Sequence, residues 1–286
     1  LDASSILLTP EFEAAGDNII VIRDTQPIPV PGREDIEVVG APWPTKHPNC
    51  DLIRGLAEGL EPTASIRVAV GHGQTSNLAP DKARPEIIDL AAAEAAIAER
   101  RFNYLALGDR HSVTNVGDTG KIWFSGAPVA TAFDEVDPNK VLLVELDRDG
   151  SCKVETLQVG EWTFIVDQLE LNGEQDLIAL TDYLNSIPNK SKTIAKIGLT
   201  GSISLAVAAE LDALFETLAD SFASIRQRKR TTDLAIVPDD LDTDSVNLSG
   251  YAKEVWQELI SSADTDSTAQ DALKLLYRLT RQGDQI

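Results

Sequence analysis

Val68-Ala69-Val70-Gly71-His72-Gly73, and its counterpart Tyr104-Leu105-Ala106-Leu107-Gly108-Asp109-Arg110-His111, decide how the chain is read. Each is a short apolar run that breaks at glycine and then presents a histidine. Such runs are buried strands, and the alanine-rich stretch 91–101 between them has the propensity of a helix. Strand, helix and strand in succession predict an α/β layered sheet. In such sheets, ligands and metals gather at the carboxyl ends of the strands. Both histidines fall there, and glycine beside each leaves the backbone free to turn the imidazole inward.

Working outward, Ile19-Ile20-Val21-Ile22 and Ile36-Glu37-Val38-Val39 read as further strands, with a short helix over 51–60. Beyond residue 120 come consecutive strand signals at 121–125, 141–146, 153–159 and 162–169. Asp147-Arg148-Asp149-Gly150 forms a hairpin turn among them. The pattern then changes. Residues 193–200 read as a strand. Val207, Leu211, Leu214, Phe215, Leu218, Phe222 and Ile225 recur in steps of three and four, the stripe of an amphipathic helix. Two more such helices are predicted over 251–260 and 269–279. The expected organisation is an α/β domain over 1–160 and an α+β domain with C-terminal helices over 161–286.

The chain has 286 residues, 43% of them hydrophobic and 25% charged, the composition of a globular protein. Its formal net charge of −21 argues against indiscriminate coating of nucleic acid, but leaves room for a local basic surface. Two cysteines, Cys50 and Cys152, make no disulfide framework, so a reducing cytoplasm is the expected compartment. No apolar run is long enough to span a membrane, and no charged leader precedes an apolar stretch. Methionine is absent, so Leu1 is read as an internal residue of a longer natural protein.

The chain has three histidines. His47, between Lys46 and Pro48, has no ligand spacing and reads as a surface residue. Asp109 and His111 stand two apart, so an extended segment or a tight turn can aim both at one place. Imidazole with carboxylate suits Mn²⁺, Zn²⁺ or iron. Trp43 and Trp123 read as packing residues. Asp240, Asp242 and Asp244 alternate like the start of a calcium loop. Ser245 and Tyr251 replace the Gly and Glu such a loop requires, so a solvated acidic turn is expected there.

The two strand-end motifs, followed by Phe124-Ser125-Gly126-Ala127-Pro128 and Phe133-Asp134-Glu135, resemble the C-terminal motifs of SbcD-type DNA-repair exonucleases, which are calcineurin-like metallophosphoesterases. Leu199-Thr200-Gly201 before a long helix is similar to the opening of that family's capping domain. The resemblance implies a metallophosphoesterase sandwich with a small α+β cap. It also implies two Mn²⁺ ions, DNA as substrate, an SMC-like ATPase partner and a homodimer. His72 and Asp109 would bind one metal and His111 the other. The chain departs from the pattern at Asp109, where the family has histidine. The family's DxH, bridging Asp and GNHD motifs do not occur. The catalytic residues are therefore expected in a preceding segment, without which no hydrolysis is expected.

Arg226, Arg228, Lys229 and Arg230 form the one dense basic run, expected either to touch a phosphate backbone or to sit as a solvated helix end. The stripes of the last two helices suggest core packing or docking of the ATPase. Two other functions compete with the nuclease: a non-catalytic DNA-end or ATPase scaffold, and a phosphodiesterase for small nucleotides.

Overall fold

The computed structural model describes residues 6–14, 16, 19–45, 47–237, 250–263, 266, 268–269, 272–273 and 275–276. The chain divides into two compact units, Leu1–Glu161 and Trp162–Ile286. Both are mixed α/β structures.

In the first unit a short helix α1 (Pro10–Glu13) precedes β1 (Ile28–Val30), β2 (Arg33–Gly40), α2 (Leu52–Glu58), β3 (Ile66–His72), α3 (Leu90–Ala98) and β4 (Tyr104–Gly108). Then follow β5 (Thr114–Asn115), β6 (Ile122–Phe124), β7 (Lys140–Leu146) and β8 (Cys152–Gln158). Six strands form one sheet in the order β1-β2-β3-β4-β6-β5. Its centre, β2, β3, β4 and β6, is parallel, while β1 and β5 are antiparallel edges. β7 and β8 make a separate antiparallel hairpin around the Asp147–Gly150 turn, where the Gly150 amide donates to the Asp147 carbonyl at 2.9 Å.

One face of the sheet is covered. Val39, Ala69, Leu105, Ile122 and Phe124 pack against Ile53 and Leu56 of α2 and Ala96 and Ile97 of α3. A single aspartate ties these helices together. Asp51 caps α2 by accepting from the Ile53 and Arg54 amides at 2.9 and 3.0 Å, and its second oxygen accepts from the Asp89 amide at 2.8 Å. Asp89 in turn caps α3 and pairs with Arg54. The opposite face presents Val38, Val68, Val70 and Ala106, with Val70 38% exposed. Ile19–Ile22 does not form the predicted strand. Those residues lie outside any helix or strand; Ile19 and Ile20 are exposed, and Ile22 is half-buried where Gly40 lacks a side chain, so that part of its apolar surface is covered without a strand partner.

At the amino end of β3, Arg67 is buried, yet each of its three guanidinium nitrogens has an acceptor. Its guanidinium meets Glu37 Oε1 at 2.7 Å and the Glu61 and Arg101 carbonyls at 2.9 and 2.6 Å. A buried guanidinium is tolerable only when paired and hydrogen-bonded in this way.

The second unit contains β9 (Thr163–Leu171), α4 (Glu174–Ser186), β10 (Thr193–Ser204), α5 (Leu205–Ala219), β11 (Ser224–Gln227), β12 (Asp233–Val237) and α6 (Tyr251–Ala263). β10 is central and all its pairings are parallel. β9 runs along one of its edges, and β11 and then β12 along the other. Ala195, Ile197, Leu199 and Ile203 of β10 pack against Leu177, Leu180 and Leu184 of α4 and Leu211 and Leu218 of α5. The predicted helix reaching Ile225 is corrected here. α5 stops at Ala219, Phe222 folds back into the same core, and Ile225 belongs to β11. Its stripe continues past the helix because both elements bury apolar groups in one core. Val237, Trp256 and Leu273 form a smaller cluster. No helix among the described residues is long and apolar enough to cross a membrane.

Two predictions follow from this packing. Asp51→Ala removes a cap and the tie between α2 and α3, and is expected to cost about 2 kcal/mol in urea denaturation. In the second unit Tyr183 bonds Asp167, and burial together with that carboxylate pushes the phenol up to about 12. An unfolded tyrosine titrates near about 10, so this stabilisation is complete below that pH and is lost as pH rises through the folded value. Tyr183→Phe should be the less stable protein near neutrality, by about 1 kcal/mol. The gap in denaturation midpoint should narrow above about pH 10.

Candidate metal site

The carboxyl edge of the parallel sheet in the first unit carries the candidate site. His72 is the last residue of β3 and lies opposite Gly108 in the ladder with β4. A Cβ on Gly108 would stand 2.9 Å from His72 Nδ1, so only glycine lets the imidazole lie across the neighbouring strand. Trp43 holds the other side of this histidine. Its indole Nε1 donates to the His72 carbonyl at 2.8 Å, and the two rings meet edge to face at 5.2 Å. Trp43 thus does more than the packing expected of it.

Directly after β4 the chain turns through Asp109, whose φ of 107° lies where side chains are seldom found. That turn brings Asp109 Oδ1 within 3.6 Å of His72 Nε2. Two ligands about 2.1 Å from one cation fall about 3 to 4 Å apart, so the pair fits a shared divalent ion.

His111, two residues on, faces elsewhere. Its Nδ1 is 2.8 Å from Glu135 Oε1 and 3.0 Å from Thr131 Oγ1. The imidazole is 55% exposed, whereas the Glu135 side chain is only 4% exposed. Burial pushes the Glu135 carboxyl up, but hydrogen bonds from Thr131, His111 and the Ala132 amide outweigh it and hold the group below its ordinary value. Asp109, His111 and Glu135 line a cavity of about 490 Å³, in which Arg110 is the one lysine or arginine among the described lining residues. The Arg110 Nε donates to Thr114 Oγ1 at 2.7 Å. His72 instead borders a larger, apolar cavity of about 980 Å³ with Val70, Ala106, Ile22 and Trp43.

The sequence-predicted trio is therefore placed on one edge, but only His72 and Asp109 meet. Among the described residues no three His, Cys, Asp or Glu side chains converge on one point. Glu135 was visible in the sequence only as the end of Phe133-Asp134-Glu135. Its separation of 24 residues from His111 hid the contact. His47 is exposed, as expected of a surface residue. Asp240, Asp242 and Asp244 lie outside the described residues.

The basic run is not a helix end. Arg226 sits in β11 beside Lys196 of β10, and 228–232 form a bulge between β11 and β12 on the same edge of β10. The Arg228 amide donates to the Ile197 carbonyl at 2.8 Å, while Thr231 fills the space that a Cβ on Gly198 would need. Arg226, Lys229 and Arg230 are exposed and Arg228 is half-buried, and none of the four forms an ion pair among the described residues.

Compared with models of known protein families and with curated protein sequences, the chain matches none.

The left-handed turn at Asp109 makes a prediction. Asp109→Gly relieves the backbone at the expense of the carboxylate, and should raise stability by about 1 kcal/mol in thermal denaturation.

Proposed function

We propose that the chain is part of a metal-dependent DNA nuclease of the SbcD type, its first unit belonging to a calcineurin-like metallophosphoesterase domain and its second to the cap. The observation that carries this reading is the His72–Asp109 pair at 3.6 Å, on the same carboxyl edge as His111. His72 and Asp109 would hold one Mn²⁺ ion and His111 the other. When bound, such ions supply Lewis acidity and neutralise charge on a phosphodiester.

The remaining work falls to the chain itself. Gly108 and Trp43 fix the His72 ring from two sides, which limits its freedom before any ligand arrives. Arg110, anchored on Thr114, can meet a phosphate oxygen in a cavity otherwise rich in carboxylates. Arg226, Arg228, Lys229 and Arg230 offer a strip of positive charge to the DNA backbone. An SMC-like ATPase, a homodimer and a cytoplasmic setting complete the proposal.

The scaffold reading, with a degraded metal site, draws on Asp109 standing where the resembled family has histidine, and on His111 standing apart from the His72–Asp109 pair, with no converging trio among the described residues. Digestion of end-labelled duplex DNA by the natural full-length protein separates the two. With Mn²⁺ present, digestion is expected, and His111→Ala should lower it by about a hundredfold or more. Absence of digestion with the ATPase partner added would favour the scaffold.

A further inference from the structure

We infer that Glu135 is a positioning residue that holds His111 in the Nδ1–H tautomer and turns the Nε2 lone pair outward. A neutral imidazole carries one N–H, and an ionised carboxylate can only accept. Glu135 Oε1, 2.8 Å from Nδ1, therefore requires the proton on Nδ1. The Thr131 hydroxyl also lies 3.0 Å from that nitrogen, but it donates to Glu135 Oε1 at 2.5 Å. Were it to donate to Nδ1 instead, the carboxylate would face an imidazole lone pair at hydrogen-bond distance. One proton arrangement satisfies every group: Nδ1–H and the Thr131 hydroxyl donate to Oε1, and the Thr131 amide donates to Oε2 at 3.0 Å.

The backbone holds this arrangement in place. The Ala127 amide donates to the His111 carbonyl at 2.9 Å, and the Val136 amide donates to Ser112 Oγ at 3.0 Å. The loop that carries Glu135 is thus tied to the histidine's own segment at both of its ends. The side chains differ sharply in exposure, 4% for Glu135 against 55% for His111. The carboxylate is therefore committed to the ring while the opposite ring nitrogen can reach a ligand. A solvent-exposed neutral histidine side chain prefers the Nε2–H form, so Glu135 inverts that preference. An outer carboxylate of this kind orients a ligating histidine and raises its basicity. The consequence for metal rests on the proposed reading of His111 as a ligand, whereas the tautomer does not.

Long-range ¹H–¹⁵N spectra of the full ¹⁵N-labelled chain, recorded about two units above the ordinary histidine pKa, read the tautomer directly. His111→Gln assigns the signals. The wild type is expected to show a protonated Nδ1 and an unprotonated Nε2 at His111. Glu135→Ala should release the ring to a mixture dominated by Nε2–H. Glu135→Gln, which keeps the shape and an acceptor but not the charge, should fall between the two. A wild-type Nε2–H form, or spectra unchanged in both variants, would overturn the inference. Mn²⁺ titration followed by the electron paramagnetic resonance of the free ion gives a second readout. Glu135→Ala should weaken binding about 10- to 100-fold. If the tautomer shifts as expected but the natural protein binds no Mn²⁺, the metal reading fails and the assignment to Glu135 stands.

Discussion

The pairing of His72 with Gly108 is the constraint on which the candidate site depends. Slipping the β3–β4 ladder by one residue would carry every side chain of β3 to the other face and set His72 against a residue with a side chain. The register is secured far from the site. At the amino end of the strands, the Asn103 amide donates to the Arg67 carbonyl at 2.7 Å, and the Asn103 side chain accepts from the Arg67 amide at 2.8 Å. The buried Arg67 guanidinium then fastens the same point to Glu37 of β2 and to the loops before β3 and β4. A polar clamp at one end of the sheet thus fixes geometry at the other, because a parallel ladder between them transmits register without slack.

The second unit shows how a strongly acidic chain can present a basic surface. α4 and α5 carry Glu174, Asp176, Asp182, Glu210, Asp212 and Glu216, and neither helix contains a lysine or arginine. The cations Lys196, Arg226, Arg228, Lys229 and Arg230 lie on the strands and the bulge instead. Segregation of this kind lets local potential differ in sign from net charge. The bulge itself depends on Gly198, since a side chain there would collide with Thr231.

Legibility in the sequence followed the strength of local signals. β3, β4, α2 and α3 were readable because glycine, proline and aspartate punctuate uniform apolar or alanine-rich runs. Ile19–Ile22 has strand composition, but a strand is defined by its partner, and composition cannot say that Ile22 alone packs at Gly40 while Ile19 and Ile20 stay exposed. α4 is poorly legible although Leu177, Leu180 and Leu184 have helical spacing, because polar residues dilute the stripe and only Asn172-Gly173 separates it from strand β9. At the site, His72 and Asp109 were legible as strand-end residues. Their contact was not, for it arises from the turn at Asp109. The partnership of His111 with Glu135 spans a loop whose path no local pattern encodes.

The order of strands in the large sheet bears on how the molecule comes to exist. β1, β2, β3, β4 and β6 lie side by side in the order in which they occur along the chain, with β5 folding back as the last edge. A polypeptide emerging from the ribosome can therefore lay β2, β3, β4 and β6 each against an edge already made, whereas β5 is synthesised before β6 and pairs only once that strand has followed it. Glu135 lies downstream of every strand in that sheet. During synthesis the imidazole of His111 is therefore made well before its carboxylate, which follows only after the last strand of that sheet.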